Sequence, residues 1–300
     1  MSLTPDELQY QIDHIHDDRR TAVIIGSVTC AVTAYGFVIM RFCANKKAAR
    51  TLKADDWAIL VALLFATGQY IDVSIGILWG SARHSIISTE PEHYGKNLIA
   101  AEVIYVWAIA AVKLSILLLW NRLFTSKGIQ IAIWLTGALV ITMTISAMLI
   151  VVLQCIPLEH LWNPAMPATC VSMSICATVF GVVNILSDIF IILLPVRKLL
   201  KLRLERGEKL QLFSLFMTGG LVTIISTARM FYTMELGDDD DVAWNYVDVG
   251  IWSSAEISAA IVSACLPTLR PLFSRSKIGT MSTKSASSIS NLTITIPMYK

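Results

Sequence analysis

Ile99–Phe124, IAAEVIYVWAIAAVKLSILLLWNRLF, is long and apolar enough to cross a bilayer, which takes about 20 residues as a helix. Within it stand Glu102 and Lys113. Their separation is about three helical turns, so both side chains fall on one face. Charge at that depth costs roughly 2.5–3.5 kcal/mol on insertion scales and usually faces a bundle interior or a cavity. Other spans are therefore expected to pack against this face.

The rest of the chain agrees. Of 300 residues, 55% are hydrophobic and only 15% charged, where a soluble domain carries about 25% charged residues. The mean hydropathy is +0.64. Seven apolar segments are predicted to span, at about Thr21–Cys43, Asp56–Trp79, Leu98–Leu123, Ile129–Leu153, Val171–Val196, Leu210–Tyr232 and Val247–Leu266. They are too long for barrel strands of about 10 residues, and helices satisfy their own backbone in lipid. The fold class is thus an all-α bundle of seven transmembrane helices. Residues 1–20 form a short polar tail without an apolar core, so the first span is expected to direct insertion. Residues 21–274 form the membrane domain, and the Ser/Thr-rich residues 275–300 a disordered tail. Pro195 is expected to end the fifth span, before an amphipathic basic run, Arg197–Lys209, on the inner leaflet.

Orientation follows from Lys and Arg. The connections after the first, third and fifth spans, with the tail, hold eighteen; Arg19, Arg20, Arg83 and Lys96 lie on the other side. The positive-inside bias puts the C-terminus in the cytosol and the N-terminus outside or in a lumen. The acidic run Asp238–Asp241 falls on the outer side and reads as a solvated loop, with no metal-site spacing. Cys155 and Cys170 bracket the outer loop after the fourth span, where an oxidising compartment permits a disulfide. Cys30, Cys43, Cys176 and Cys265 read as free thiols. Asp55 and Asp56 begin the second span, where acids complement the helix dipole.

Polar residues inside the spans form two predicted groups. The inner one is a structural ion pair of Lys113 with Asp188, with Asn184 one turn above. The outer one is Asp72, Glu102, Arg229, Asp248 and Glu256, with Tyr70, Tyr105, Trp107 and Trp252 as aromatic neighbours. Such a cavity suits an amphiphilic small molecule, with Asp72, Tyr105, Trp107, Arg229 and Trp252 as its binding residues. It also suits acid–base chemistry, because burial favours the neutral carboxyl. Glu256 is the leading proton donor, Glu102 the alternative, and Asp248 the carboxylate that stays ionised, beside Arg229.

Several of these residues together resemble the fungal rhodopsin-like integral membrane domain of satratoxin-cluster-type membrane proteins and fungal receptor-like proteins. They are Asp55-Asp56-Trp57; Gly76 followed by His84; Lys113 with Arg122-Leu123-Phe124; and Cys155-x-Pro157 with Trp162 and Cys170. Ser187-Asp188, Leu194-Pro195, Arg229, Glu256, Cys265-Leu266-Pro267 and Arg270-Pro271-Leu272 complete the set. The resemblance covers about Thr21–Phe273. It implies the seven-helix topology and, for members in secondary-metabolite gene clusters, work on a pathway intermediate. A retinal Schiff base needs a lysine in the last span, which has none. No retinal, other cofactor, metal or nucleic acid is expected. The expected partners are the bilayer, in the endoplasmic reticulum or plasma membrane, and an amphiphilic ligand. The functional expectation is a membrane protein of a secondary-metabolite pathway, as an acid-initiated, terpenoid-type cyclase or isomerase. The rivals are a receptor-like sensor and a membrane scaffold.

Overall fold

A computed structural model describes residue 9 and residues 13–14, 18–82, 91–161, 167–199, 206–236 and 242–269. Among them are seven helices long and apolar enough to cross a membrane. They are α1 (Arg20–Lys47), α2 (Ala54–Gly76), α3 (Pro91–Leu123), α4 (Lys127–Leu153), α5 (Met173–Leu199), α6 (Arg206–Leu236) and α7 (Val242–Cys265). The chain is a multi-pass integral membrane protein. The expectations for His84, Trp162, Asp238–Asp241 and residues 270–300 lie outside the described residues, as do the side chains of the basic run.

Helix bounds differ from the apolar runs because hydrogen bonding continues beyond the apolar stretch. Thus α3 starts at Pro91 and α1 reaches Lys47. Pro195 does not end α5, which continues to Leu199 with the proline inside. Proline removes only its own N–H from the ladder, and membrane helices tolerate that loss where neighbours re-satisfy the backbone.

The most enclosed element is α7, packed against α1, α2, α3 and α6. Ile257 and Ile261 of α7 pack with Ile59 of α2 and Val112 of α3 in the largest apolar cluster. A second feature fixes the end of the bundle where α1 meets α2. Arg41, with no exposed surface, donates from Nη2 to Asp55 Oδ2 at 2.8 Å and from Nε to Asp56 Oδ1 at 3.0 Å. Its Nη1 donates to the Ala264 carbonyl of α7 at 2.9 Å. Asn45 also donates to Asp56, and Arg122 of α3 lies 3.3 Å from Asp55. Asp56 still caps α2, accepting from the Lys53 N–H. The two acids therefore do more than complement a dipole: they bind α1, α2, α3 and α7 together.

At the opposite end, β1 (Cys155–Ile156) pairs antiparallel with β2 (Thr169–Cys170), placing Cys155 opposite Cys170, and a disulfide joins them. Closing a loop of this size contributes about 3 kcal/mol in the chain-entropy model. Both cysteines are expected to resist a thiol label until reduced, and Cys155→Ser is expected to expose Cys170 to it. Continued resistance of Cys170 in that variant, as pairing with Cys176 would give, contradicts this bridge.

Candidate functional site

The interior polar residues converge because four helices, α3, α5, α6 and α7, bring polar positions to a shared depth. Glu256 of α7, 1% exposed, is the hub. Its carboxyl accepts from Arg229 Nε at 2.6 Å and Ser226 Oγ at 2.6 Å, both on α6. Tyr105 of α3 and Asn184 of α5 donate to it at 2.8 Å each. The Arg229 guanidinium also lies over the Tyr105 ring, 4.6 Å from its centre, an attractive cation–π geometry. On the other side of Asn184, Lys113 Nζ lies 3.0 Å from Asp188 Oδ1. It donates to Asn184 Oδ1 and Ser187 Oγ at 2.6 Å each. Asn184 thus joins the predicted inner pair to part of the predicted outer group in one network.

This geometry changes the expectation for Glu256. Four donors, one of them cationic, occupy both of its oxygens, as a buried, ionised carboxylate requires. A proton donor needs a carboxyl facing its substrate, and Glu256 borders only a small void of about 30 Å³ beside Asp188 and Lys113. Asp248 also stands elsewhere. It pairs with Arg19 at 2.6 Å, not with Arg229, because it lies in the first two turns of α7, beside the start of α1. Arg19 in turn lies over the Trp244 ring.

Above the network is a cavity of about 220 Å³. One wall is polar, with Glu102, Tyr105, Lys113 and Arg229; the facing wall is largely aliphatic, from α4 and α5. Lys113 and Arg229 are each matched by a carboxylate in the network, Asp188 and Glu256. Glu102 is different. Its Oε2 is buried without a hydrogen-bond partner among the described residues. So is Oε1 of Gln69 on α2, which lines the same cavity and is 1% exposed. Buried acceptors left unpaired cost about 1–3 kcal/mol each, so such groups in a cavity are the natural contacts of a bound molecule.

Of the predicted binding residues, the cavity gathers Tyr105 and Arg229. Trp107 points out of the bundle, 43% exposed and stacked on Phe65, because its position on α3 faces away from α7. Trp252 stacks on Tyr232. Asp72 accepts from Asn97 at 2.6 Å, nearer the helix ends. Tyr70 bonds Ser258. The residues that sequence reasoning passed over are Gln69 and Ser226. An amide within an apolar run is a visible signal; a serine is not, since membrane serines often bond their own helix. No cluster of metal-ligating side chains occurs among the described residues.

Residues 40–275 match the fungal rhodopsin domain. The chain belongs to this family. Among curated proteins it is similar to a SAT4 family membrane protein of Emericella nidulans, 24% identical over 65% of this chain and 50% of the relative. It is 26% identical to the polyenoic acids biosynthesis gene cluster protein Ba17b of Metarhizium anisopliae, over 79% of this chain and 70% of the relative. It is 25% identical to the receptor GIN3 of Arthrobotrys oligospora, over 78% of this chain and 57% of the relative. The chain therefore spans about half the length of the SAT4 family relative. No solved structure matches it.

Proposed function

We propose that this protein binds an amphiphilic intermediate of a fungal secondary-metabolite pathway in the cavity, and that Glu102 is its proton donor. The observation that carries this reading is the pair of unpartnered acceptors, Glu102 and Gln69, on one wall of a cavity whose other wall is aliphatic. A buried carboxyl without a partner is suited to protonate an alkene, epoxide or carbonyl. The Tyr105 ring lines the same cavity, where an aromatic ring can stabilise positive charge that develops on the substrate. An acid-initiated cyclase or isomerase needs these parts. The similarity to a biosynthesis-cluster protein supports the pathway assignment, and a satratoxin-cluster type of membrane protein is the nearest description of the role. The test is deletion of the gene with metabolite profiling. An accumulated precursor supports the enzyme; an unchanged profile overturns it.

A receptor-like sensor is the second reading, favoured by the similarity to receptor GIN3. It places the same ligand in the same cavity and predicts an altered response to an external compound with no precursor build-up.

We further propose that the C-terminus is cytosolic and the hairpin end lumenal or extracellular, in the endoplasmic reticulum or plasma membrane, with residues 21–274 as the membrane domain. The split of Lys and Arg supports this orientation. A reporter fused after Lys300 is expected to read as cytosolic, and a tag before Met1 as lumenal or external. The opposite result in either fusion overturns the orientation.

A further inference from the structure

We infer that the cavity loads sideways from the bilayer, through the seam between α4 and α5, so that its ligand is a molecule already dissolved in the membrane. This rests on the ligand-binding reading of the cavity but adds the route and the physical class of ligand.

Three observations carry it. First, the aliphatic wall is made by these two helices and reaches the outside of the bundle. Leu139 of α4 lines the cavity and is also 46% exposed on the surface. Met143 and Ala147 of α4 and Ala177 and Phe180 of α5 line it too, and all are half-buried.

Second, three hydroxyls of α4 turn back on their own helix instead of reaching across the seam. The hydroxyls of Thr136, Thr144 and Ser146 each donate to a carbonyl one turn back in α4 itself. On its other side α5 is held closely. A Cβ on Gly181 would meet Met230 of α6 at 2.7 Å, and one on Gly219 of α6 would meet Ile192 at 2.6 Å. The two helices touch without room for a side chain there, so the α5–α6 joint is fixed and the α4 side is the one that can part.

Third, the described residues between the cavity and the hairpin are packed. Val151 at the end of the cavity is buried, as are Gln154 and Cys155 further on, while Val152 and Leu153 between them face outward. Tyr94 packs edge-on against Tyr246, with ring centres 6.4 Å apart. At the other end Lys113 and its partners close the floor. A hydrocarbon-rich ligand has no reason to cross those polar caps, because the bilayer already dissolves it.

Glu102 supplies the readout. An alkyl diazirine gives a diazo compound on illumination; a buried carboxylic acid protonates its carbon, and the carboxylate oxygen then forms an ester with loss of N₂. The protein in lipid vesicles is illuminated with a long-chain alkyl diazirine dissolved in the bilayer, and separately with a sulfonated, membrane-impermeant one in the water. Adducts are mapped by mass spectrometry. The expected result is an ester on Glu102 from the bilayer probe and none from the sulfonated probe. Ala147→Trp, which fills the seam, should lose the Glu102 ester. Leu149→Trp, on the exposed face of α4, should keep it and so controls for folding. Modification of Glu102 by the sulfonated probe overturns the route while leaving the ligand site standing. An unchanged ester yield in Ala147→Trp, or its loss in both tryptophan variants, also overturns the route. If neither probe reaches Glu102 in the wild type, the route and the ligand site fall together.

Discussion

Glu102→Gln is expected to lower pathway output per unit of folded protein by roughly two orders of magnitude, the scale of losing a general acid. The amide keeps the size of the side chain and its place in the cavity wall but has no transferable proton. Because Glu102 Oε2 has no hydrogen-bond partner among the described residues, the amount of folded protein should stay near that of the wild type. Glu256→Gln should behave in the opposite way. It removes the charge that balances Arg229 and puts an amide donor against Ser226, Asn184 and Tyr105. Its first effect is therefore expected on folded yield. Both variants are compared in a deletion strain by product and precursor levels, normalised to folded protein measured by size exclusion. Full output from Glu102→Gln would remove the proton-donor role from this residue and with it the cyclase reading. Normal yield of Glu256→Gln with lost output would return the role to Glu256.

The largest stability effect is expected at Arg41. Arg41→Ala should cost about 3–5 kcal/mol, the usual consequence of removing one partner of a buried ion pair, and most of the chain should fail to reach the folded state. The reason is geometric. One guanidinium serves two carboxylates and one carbonyl in three directions, with no exposed surface. Arg41→Lys should recover little, because an ammonium cannot reproduce the fork. Arg41→Ala with Asp55→Ala and Asp56→Ala together should recover part of the yield, since the uncompensated acids are then gone. Thermal unfolding of purified protein followed by size exclusion reads all three. Wild-type stability in Arg41→Ala would show that this cluster does not hold the four helices together.

The same residue shows where sequence reasoning stops. Seven spans were legible because burial in lipid writes itself as long apolar runs. Lys113 and Asp188 were legible as partners because two charges in hydrocarbon at equal depth have few alternatives. Arg41 was not: a lysine-and-arginine-rich connection follows it, and composition cannot tell the one inward-facing arginine from its exposed neighbours. Trp107 failed for a related reason. Depth along a helix follows from counting residues, but direction around it depends on which neighbours pack there, and α3 turns Trp107 away from α7. Asp248 was placed beside Arg229 by depth alone, whereas Arg19, just before α1, reaches it first. Glu256 was expected to be the proton donor, but the number of donors around it is set only by the assembled helices.

The disulfide-bridged hairpin has a consequence for molecular shape. Helix α4 is tied at both ends: residues 124–126 alone separate it from α3, and the Cys155–Cys170 bridge holds its far end close to the start of α5. A rod fastened at both ends does not swing; it can only bow, or let side chains between the fastenings step aside. A doorway of that kind discriminates by girth and hardly at all by length. If the ligand enters by the proposed seam, a slender chain is expected to pass Met143 and Ala147 more readily than a rigid fused-ring molecule of the same mass. Cutting the bridge releases one fastening, so reduction should broaden the girth admitted without touching a single polar residue of the cavity.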